Sequence, residues 1–190
     1  MKRRAVGMLL LTAVSTSAVA DNIDINARDK AIRGTYAMDL TSRGYNGLTA
    51  DFGFLYNEDK KQLNDTLVHA GLMVSGENWS QSGTFDISIG GRLIYAAPTN
   101  NDLSALAFGA KLRFSPVNRL GIGGAIFYAP SITSFMDADS YTETSLRLDY
   151  QILPQAFVYI GHRKIEVDIN GGANNVELDE GVHLGFKMLF

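Results

Sequence analysis

The chain has 190 residues, 46% hydrophobic and 10% aromatic, with no cysteine and a formal net charge of −3. A mildly acidic chain without clustered Lys and Arg is unsuited to neutralising phosphates, which argues against nucleic acid as a partner. The absence of cysteine removes disulfide frameworks and Cys-based zinc sites. No run of 18 apolar residues follows residue 20, so no transmembrane helix is expected; a soluble β protein or a closed barrel is left, the latter being the non-helical way to cross lipid.

The first twenty residues read as a leader. Lys2, Arg3 and Arg4 precede a short apolar run from Val6 to Val14, and Ala18-Val19-Ala20 forms an A-x-A cleavage site. This predicts a cleaved secretory signal peptide over 1–20, with the mature chain starting at Asp21. The leader carries three of the 17 basic residues and none of the 20 acidic ones, so 14 basic residues face 20 acidic ones in the mature chain, a charge of −6. Residues 21–190 show no linker, Pro-rich tract or low-complexity run and read as a single barrel domain.

Alternation with a period of two then recurs in segments of about ten residues, the pattern of a membrane barrel. A short strand is expected near Asn22 to Arg28 and another from Ile32 to Leu40. Next, Leu48, Ala50, Phe52, Phe54 and Tyr56 share one face against Thr49, Asp51, Gly53 and Asn57; Val68, Ala70, Leu72 and Val74 oppose His69, Gly71 and Ser75. Phe85, Ile87, Ile89, Leu93 and Tyr95 oppose Asp86, Ser88, Gly90 and Arg92, and Leu106, Phe108, Ala110, Leu112 and Phe114 oppose Lys111 and Arg113. Leu120, Ile122, Ile126 and Tyr128 oppose Gly121, Gly123 and Ala125; Leu146, Leu148, Tyr150 and Ile152 oppose Glu143, Arg147 and Asp149. Phe157, Tyr159, Ile165 and Val167 oppose His162, Lys164, Glu166 and Asp168, with Arg163 out of place on the apolar face. Last, Leu184, Phe186, Met188 and Phe190 oppose His183, Gly185 and Lys187. This final strand, ending in Phe, looks like the signal by which barrel-assembly machinery recognises outer-membrane barrels.

With that end placed in the periplasm, long and short connections should alternate, the long ones outside. Residues 169–177, 129–141, 96–103 and 58–65 are then outer, and 153–154 and 115–118 inner; residues 76–83 should be inner but are long for a tight turn. The strand count is ten, or eight if the N-terminal pair stays out of the wall. The fold class expected is an all-β, antiparallel up-and-down transmembrane barrel. Phe85, Phe114, Tyr150, Phe157 and Phe190 near inner strand ends, and Tyr56, Tyr95 and Tyr128 near outer ends, predict two aromatic girdles.

Little in the chain carries chemistry. The three histidines, His69, His162 and His183, all face the lumen in this register. A last hairpin turning at Gly172-Ala173 sets His162 opposite His183, a pair that could bind a metal or shuttle protons; the simpler reading is a lumen hydrogen-bond network with Lys164, Glu166, Asp179 and Lys187. Arg33, Arg92, Lys111, Arg113, Arg147, Lys164 and Lys187 would meet Asp39, Asp51, Asp86, Glu143, Asp149, Glu166, Asp168 and Asp179 inside a narrow barrel and form an ionic plug. Asp137-Ala138-Asp139 offers too few carboxylates for a calcium or magnesium site. No catalytic, cofactor or metal residue is therefore assigned.

The middle-to-late chain resembles the YfaZ family of outer-membrane proteins. The resemblance runs through Gly121-Ile122-Gly123-Gly124, Phe127-Tyr128-Ala129-Pro130-Ser131, Asp137-Ala138-Asp139-Ser140-Tyr141-Thr142-Glu143, Leu153-Pro154 and Val158-Tyr159-Ile160-Gly161-His162-Arg163. It implies a β-barrel in the cell outer membrane and implies no reaction. The expected role is non-enzymatic: envelope structure, surface binding or restricted solute passage. Outer-membrane lipid and the assembly machinery are the expected partners. A barrel enzyme acting on lipid or peptide and a soluble periplasmic barrel binding an apolar ligand are the alternatives.

Overall fold

The computed structural model describes residues 21–190 except 42–45, 59–64, 81–82, 98–102, 137 and 170–173. The signal peptide expected over 1–20, the Gly172-Ala173 turn and Asp137 lie outside the described residues. The strands are β1 (Asn22–Ala27), β2 (Ala31–Asp39), β3 (Asn46–Asn57), β4 (Asp65–Ser80), β5 (Gly83–Ala97), β6 (Leu103–Val117), β7 (Leu120–Ala129), β8 (Ser134–Met136), β9 (Ala138–Leu153), β10 (Ala156–Ile169) and β11 (Asn174–Leu189).

Ten of them form the wall. Each wall strand pairs antiparallel with the next, and β11 returns to pair with β1, so the sheet closes on itself without a free edge. The eleventh, β8, prolongs the track of β7 after a 3-10 turn at Ser131–Thr133 and pairs with Leu103–Ala105 of β6. The N-terminal pair belongs to the wall, which decides between ten strands and eight. The connection that fitted poorly in the sequence is itself strand: β4 and β5 run until Ser80 faces Gly83, leaving a tight hairpin. Gly83 turns there at φ +130°, with a hypothetical Cβ only 2.3 Å from the Ser115 carbonyl oxygen, so a side chain is excluded twice over.

Asp21 and Phe190 exchange two backbone hydrogen bonds, 3.0 and 2.9 Å, and mark one end of the barrel, the terminal rim. The tight connections at Ser80–Gly83, Val117–Leu120 and Leu153–Ala156 lie at this rim; the opposite end is the loop rim.

The outward face is a continuous apolar band. Ile25, Phe54, Leu72, Ile89, Phe108, Ile126, Leu148, Ile160 and Leu184 all stand exposed on it. An apolar surface of this extent is covered by something other than water, and lipid around a closed barrel fits it. Tyr56, Tyr95 and Tyr128 face outward toward the loop rim, and Phe85, Tyr150 and Phe190 toward the terminal rim. Phe85 and Phe114 pack across β5 and β6 at a tilt of 43°, with ring centroids 5.5 Å apart. Phe157 departs from this girdle and lies inside, 5.5 Å from the Arg113 guanidinium.

One strand reverses the expectation. In β10, Tyr159, Arg163, Ile165 and Val167 are buried on the inner side, whereas His162 is exposed on the outer side, with Lys164, Glu166 and Asp168 sharing its face. Arg163, out of place on an apolar outer face, is a lumen residue. The outer wall near the loop rim is polar here: Lys164 pairs with Glu166 at 2.9 Å, and Ser140 of β9 donates to Asp168 at 2.7 Å. Alternation has the same period in both registers, and an apolar lumen beneath a wetted outer wall inverts its meaning.

Candidate functional site

The lumen is the candidate site, and it is layered. At the loop rim it is filled by apolar side chains. Leu55, Leu67, Ile94, Leu103, Phe127, Tyr141, Ile165, Val167 and Leu178 are each at most 4% exposed and form one cluster with several alanines. A bulge makes room for the last of these. Ile165 pairs with Asp179 but Glu166 with Glu177, so Leu178 is an extra residue in β11, and both it and Asp179 turn inward. The loop-rim half of β11 is tied across the opening: Asn57 Nδ2 of β3 donates to the Leu178 carbonyl at 3.0 Å, and Arg28 donates to the Glu180 carbonyl. The expectation of a purely ionic plug is therefore corrected. The outermost seal is a packed apolar core, and the charges lie beneath it.

The ionic layer is dense. Arg92 forks onto Asp51, Nε to Oδ1 at 3.3 Å and Nη2 to Oδ2 at 2.6 Å, and its guanidinium lies 4.0 Å from the Phe127 ring, at the base of the apolar cluster. Lys111 reaches the same Asp51 at 2.8 Å. Arg33 binds Glu143 at 2.7 Å, and the Tyr141 hydroxyl donates to Glu143 at 2.9 Å. Arg163 holds Asp179 at 2.6 Å, and Arg28 reaches the other oxygen of Asp179 at 2.7 Å. Pairs buried this deeply return little net stability, because desolvation offsets the attraction, but losing one partner strands a charge.

Below this layer the lumen opens into a cavity of about 590 Å³ that reaches the terminal rim, lined by Asn22, Asp39, Glu77 and Asp86 near its mouth and by Arg33, Arg92, Phe127 and His183 at depth. Arg113 forks onto Asp149 at 3.2 and 2.6 Å. Arg147 reaches Asp24 at 3.3 Å; Asp24 also accepts from the Tyr159 hydroxyl, which in turn accepts from Asn26 Nδ2 at 3.0 Å.

Of the expected lumen charges, Arg33, Arg92, Lys111, Arg113, Arg147, Lys187, Asp39, Asp51, Asp86, Glu143 and Asp149 line or border this cavity, and Asp179 is buried at its head. Lys164, Glu166 and Asp168 are on the outside. His69 and His183 are inside and buried, each against a glycine of the neighbouring strand: His69 Cε1 lies 2.3 Å from a hypothetical Cβ on Gly53, and His183 Nε2 2.8 Å from one on Gly161. No His162–His183 pair forms. His183 faces Gly161 and His162 faces Val182, one residue away from the expected register, which puts the two rings on opposite sides of the wall. Among the described residues no group of three or more His, Asp or Glu is arranged to hold a metal ion. The sequence reading missed Asp24, Arg28, Tyr141, Tyr159 and Arg163. The signal for Arg163 was present as the one charge that alternation could not place.

A family model described as YfaZ precursor matches residues 1–190, the whole chain. The chain belongs to the YfaZ family. No curated protein matches it. Among solved structures, this YfaZ-family barrel is similar to the outer membrane channel DcaP of Acinetobacter baumannii, at 12% identity over 88% of this chain and 54% of that one, with a TM-score of 0.42. It thus spans about half the length of the DcaP chain. It is similar also to the NanC porin and to the KdgM porin in complex with disordered oligogalacturonate, each at 12% identity over 90% of this chain and 99% of that one, with TM-scores of 0.43. Strand number and closure of the YfaZ-family barrel rest on its own strand pairing.

Proposed function

We propose that this protein is an integral outer-membrane barrel with a non-enzymatic role, closed to through passage at the loop rim and open as a blind vestibule at the terminal rim. The observation that carries this reading is the apolar seal: Leu55, Leu67, Ile165 and Leu178 are each at most 2% exposed inside the barrel, where a channel would need a wetted lumen. The short connections at the terminal rim support placing that rim in the periplasm, after export and cleavage before Asp21. Lipid is then the partner of the outer face, and assembly proceeds through the C-terminal strand. A barrel enzyme draws no support, since His162 and His183, its candidate residues, face opposite sides of the wall.

The test is conductance. The refolded barrel reconstituted in planar bilayers should show no steady open channel. Leu67→Ser with Leu178→Ser should admit water to the seal and yield a measurable current. A large, steady conductance from the unaltered protein would overturn the blind-vestibule reading.

A further inference from the structure

We propose that the vestibule is a binding site for a small, multiply charged oxyanion, a phosphate or polycarboxylate solute, held by Lys187, Lys111, Arg113 and Arg147. The proposal rests on the vestibule reading and assigns it an occupant.

The paired carboxylates Asp51 and Asp149 are buried, and the cations that hold them are more exposed. The Lys111 side chain is 37% exposed and its partner Asp51 1%; Arg113 is 26% exposed and Asp149 3%; Arg147 is 30% exposed, against 3% for Asp149 and 17% for Asp24. Each pair thus presents its positive member to the cavity. The Arg113 fork engages Nε and Nη2, leaving Nη1 with Asp86 at 3.6 Å, itself 37% exposed. Arg147 makes single contacts through Nη1 and Nε. Lys187 lines the cavity and, among the described residues, makes no hydrogen bond or ion pair. Arg113 and Arg147 share Asp149, and Arg147 also reaches Asp24, the cross-strand neighbour of Lys187. Asp39, Glu77 and Asp86 line the same vestibule, Asp86 as the direct cross-strand neighbour of Arg113.

The space is built into the wall. β7 points Gly121, Gly123 and Ala125 inward, between Lys111 and Arg113 of β6 and Arg147 of β9. A Cβ on Gly121 would lie 2.5 Å from Arg113 Nη2, and one on Gly123 3.2 Å from Arg147 Nε. The guanidinium groups lie flat over this glycine floor, taking up the space that side chains there would fill, and so keep close to the wall of the cavity. A cavity of about 590 Å³ suits a small-molecule ligand. Cations in a cleft with low-dielectric walls attract an oxyanion more strongly than they would in open water. Arg147 Nη2 and the Lys187 ammonium supply charge-assisted hydrogen bonds, with the Lys111 and Arg113 charges beside them.

The experiment is calorimetric titration of the detergent-refolded barrel with inorganic phosphate and with citrate, sucrose serving as the neutral control. Saturable binding of at least one anion is expected, weakened about tenfold or more by Lys187→Gln, the loss of one charge-assisted hydrogen bond, and restored by Lys187→Arg. On the unaltered protein, the same anion should protect Lys187 from acetylation, read by mass spectrometry, so the proposal is testable even if Lys187→Gln does not fold. No saturable binding of either anion, undiminished affinity in folded Lys187→Gln, or no protection of Lys187 would overturn it. Conductance separates this result from the blind-vestibule reading: a conducting barrel with Lys187-dependent binding fails only the latter, and a silent barrel without binding fails only the site.

Discussion

Replacing Leu178 with Ala tests whether the seal is a packed core. Leu178 is fully buried, and its carbonyl is pinned by Asn57. The substitution removes three carbons, worth about 2.4 kcal/mol at about 0.8 kcal/mol per buried methylene. The pinned carbonyl limits collapse around the vacated space, which adds about 1–2 kcal/mol of cavity cost. A loss of about 4 kcal/mol is therefore expected in reversible urea unfolding of the refolded barrel, followed by tryptophan fluorescence and heat-modifiable mobility. Leu184→Ala on the same strand is the control: Leu184 is 66% exposed on the outer face and leaves no internal cavity, so its loss should be markedly smaller. A cost below about 1 kcal/mol for Leu178→Ala, or equal costs for the two, would refute a packed seal.

Leu184→Arg places a charge on the apolar band about halfway along its span and should cost about 2–4 kcal/mol in lipid vesicles, whereas Lys164→Ala, on the same outward side but near the loop rim, should stay within about 0.5 kcal/mol; similar costs at both positions would contradict the boundary drawn across β10. Gly185→Val should displace Tyr159, whose Cζ would lie 2.1 Å from the new Cβ, and break its hydrogen bonds to Asp24 and Asn26. A stability loss of about 2 kcal/mol that shrinks in the Tyr159→Phe background is expected from a double-mutant cycle in urea; additivity of the two changes would count against the contact.

Most of the wall could be read in advance because strands whose outer side meets lipid and whose inner side meets water carry a single-signed alternation. Phe85, Ile87 and Ile89 against Asp86, Ser88 and Arg92 is such a strand, and its faces are as expected. β10 departs from the pattern along its length: Phe157 and Tyr159 turn inward onto Arg113 and Asp24, and near the loop rim neither condition holds. Ile165 and Val167 look inward to other hydrocarbon, and Lys164, Glu166 and Asp168 look outward beyond the apolar band. The expected histidine pair failed by one residue of register, and a one-residue slip flips every side chain to the other face. The lumen charges were visible as residue types, but their sorting into a sealed layer and an open one depends on which strands rise highest and on the bulge at Leu178. No local pattern encodes either.

The wall is also uneven in height. Six residue pairs join β1 to β11 and six join it to β2, while β10 and β11 share fourteen. At the loop rim the barrel is low on the β1–β2 side and tall on the β10–β11 side, like a cylinder cut on a slant. In a flat bilayer such a body has a front and a back. A lipid headgroup or a neighbouring protein approaching along the surface would meet a hydrated, charged parapet from one direction and a low step from the other. Lateral encounters would therefore depend on the barrel's azimuth even though its lipid belt runs all the way round.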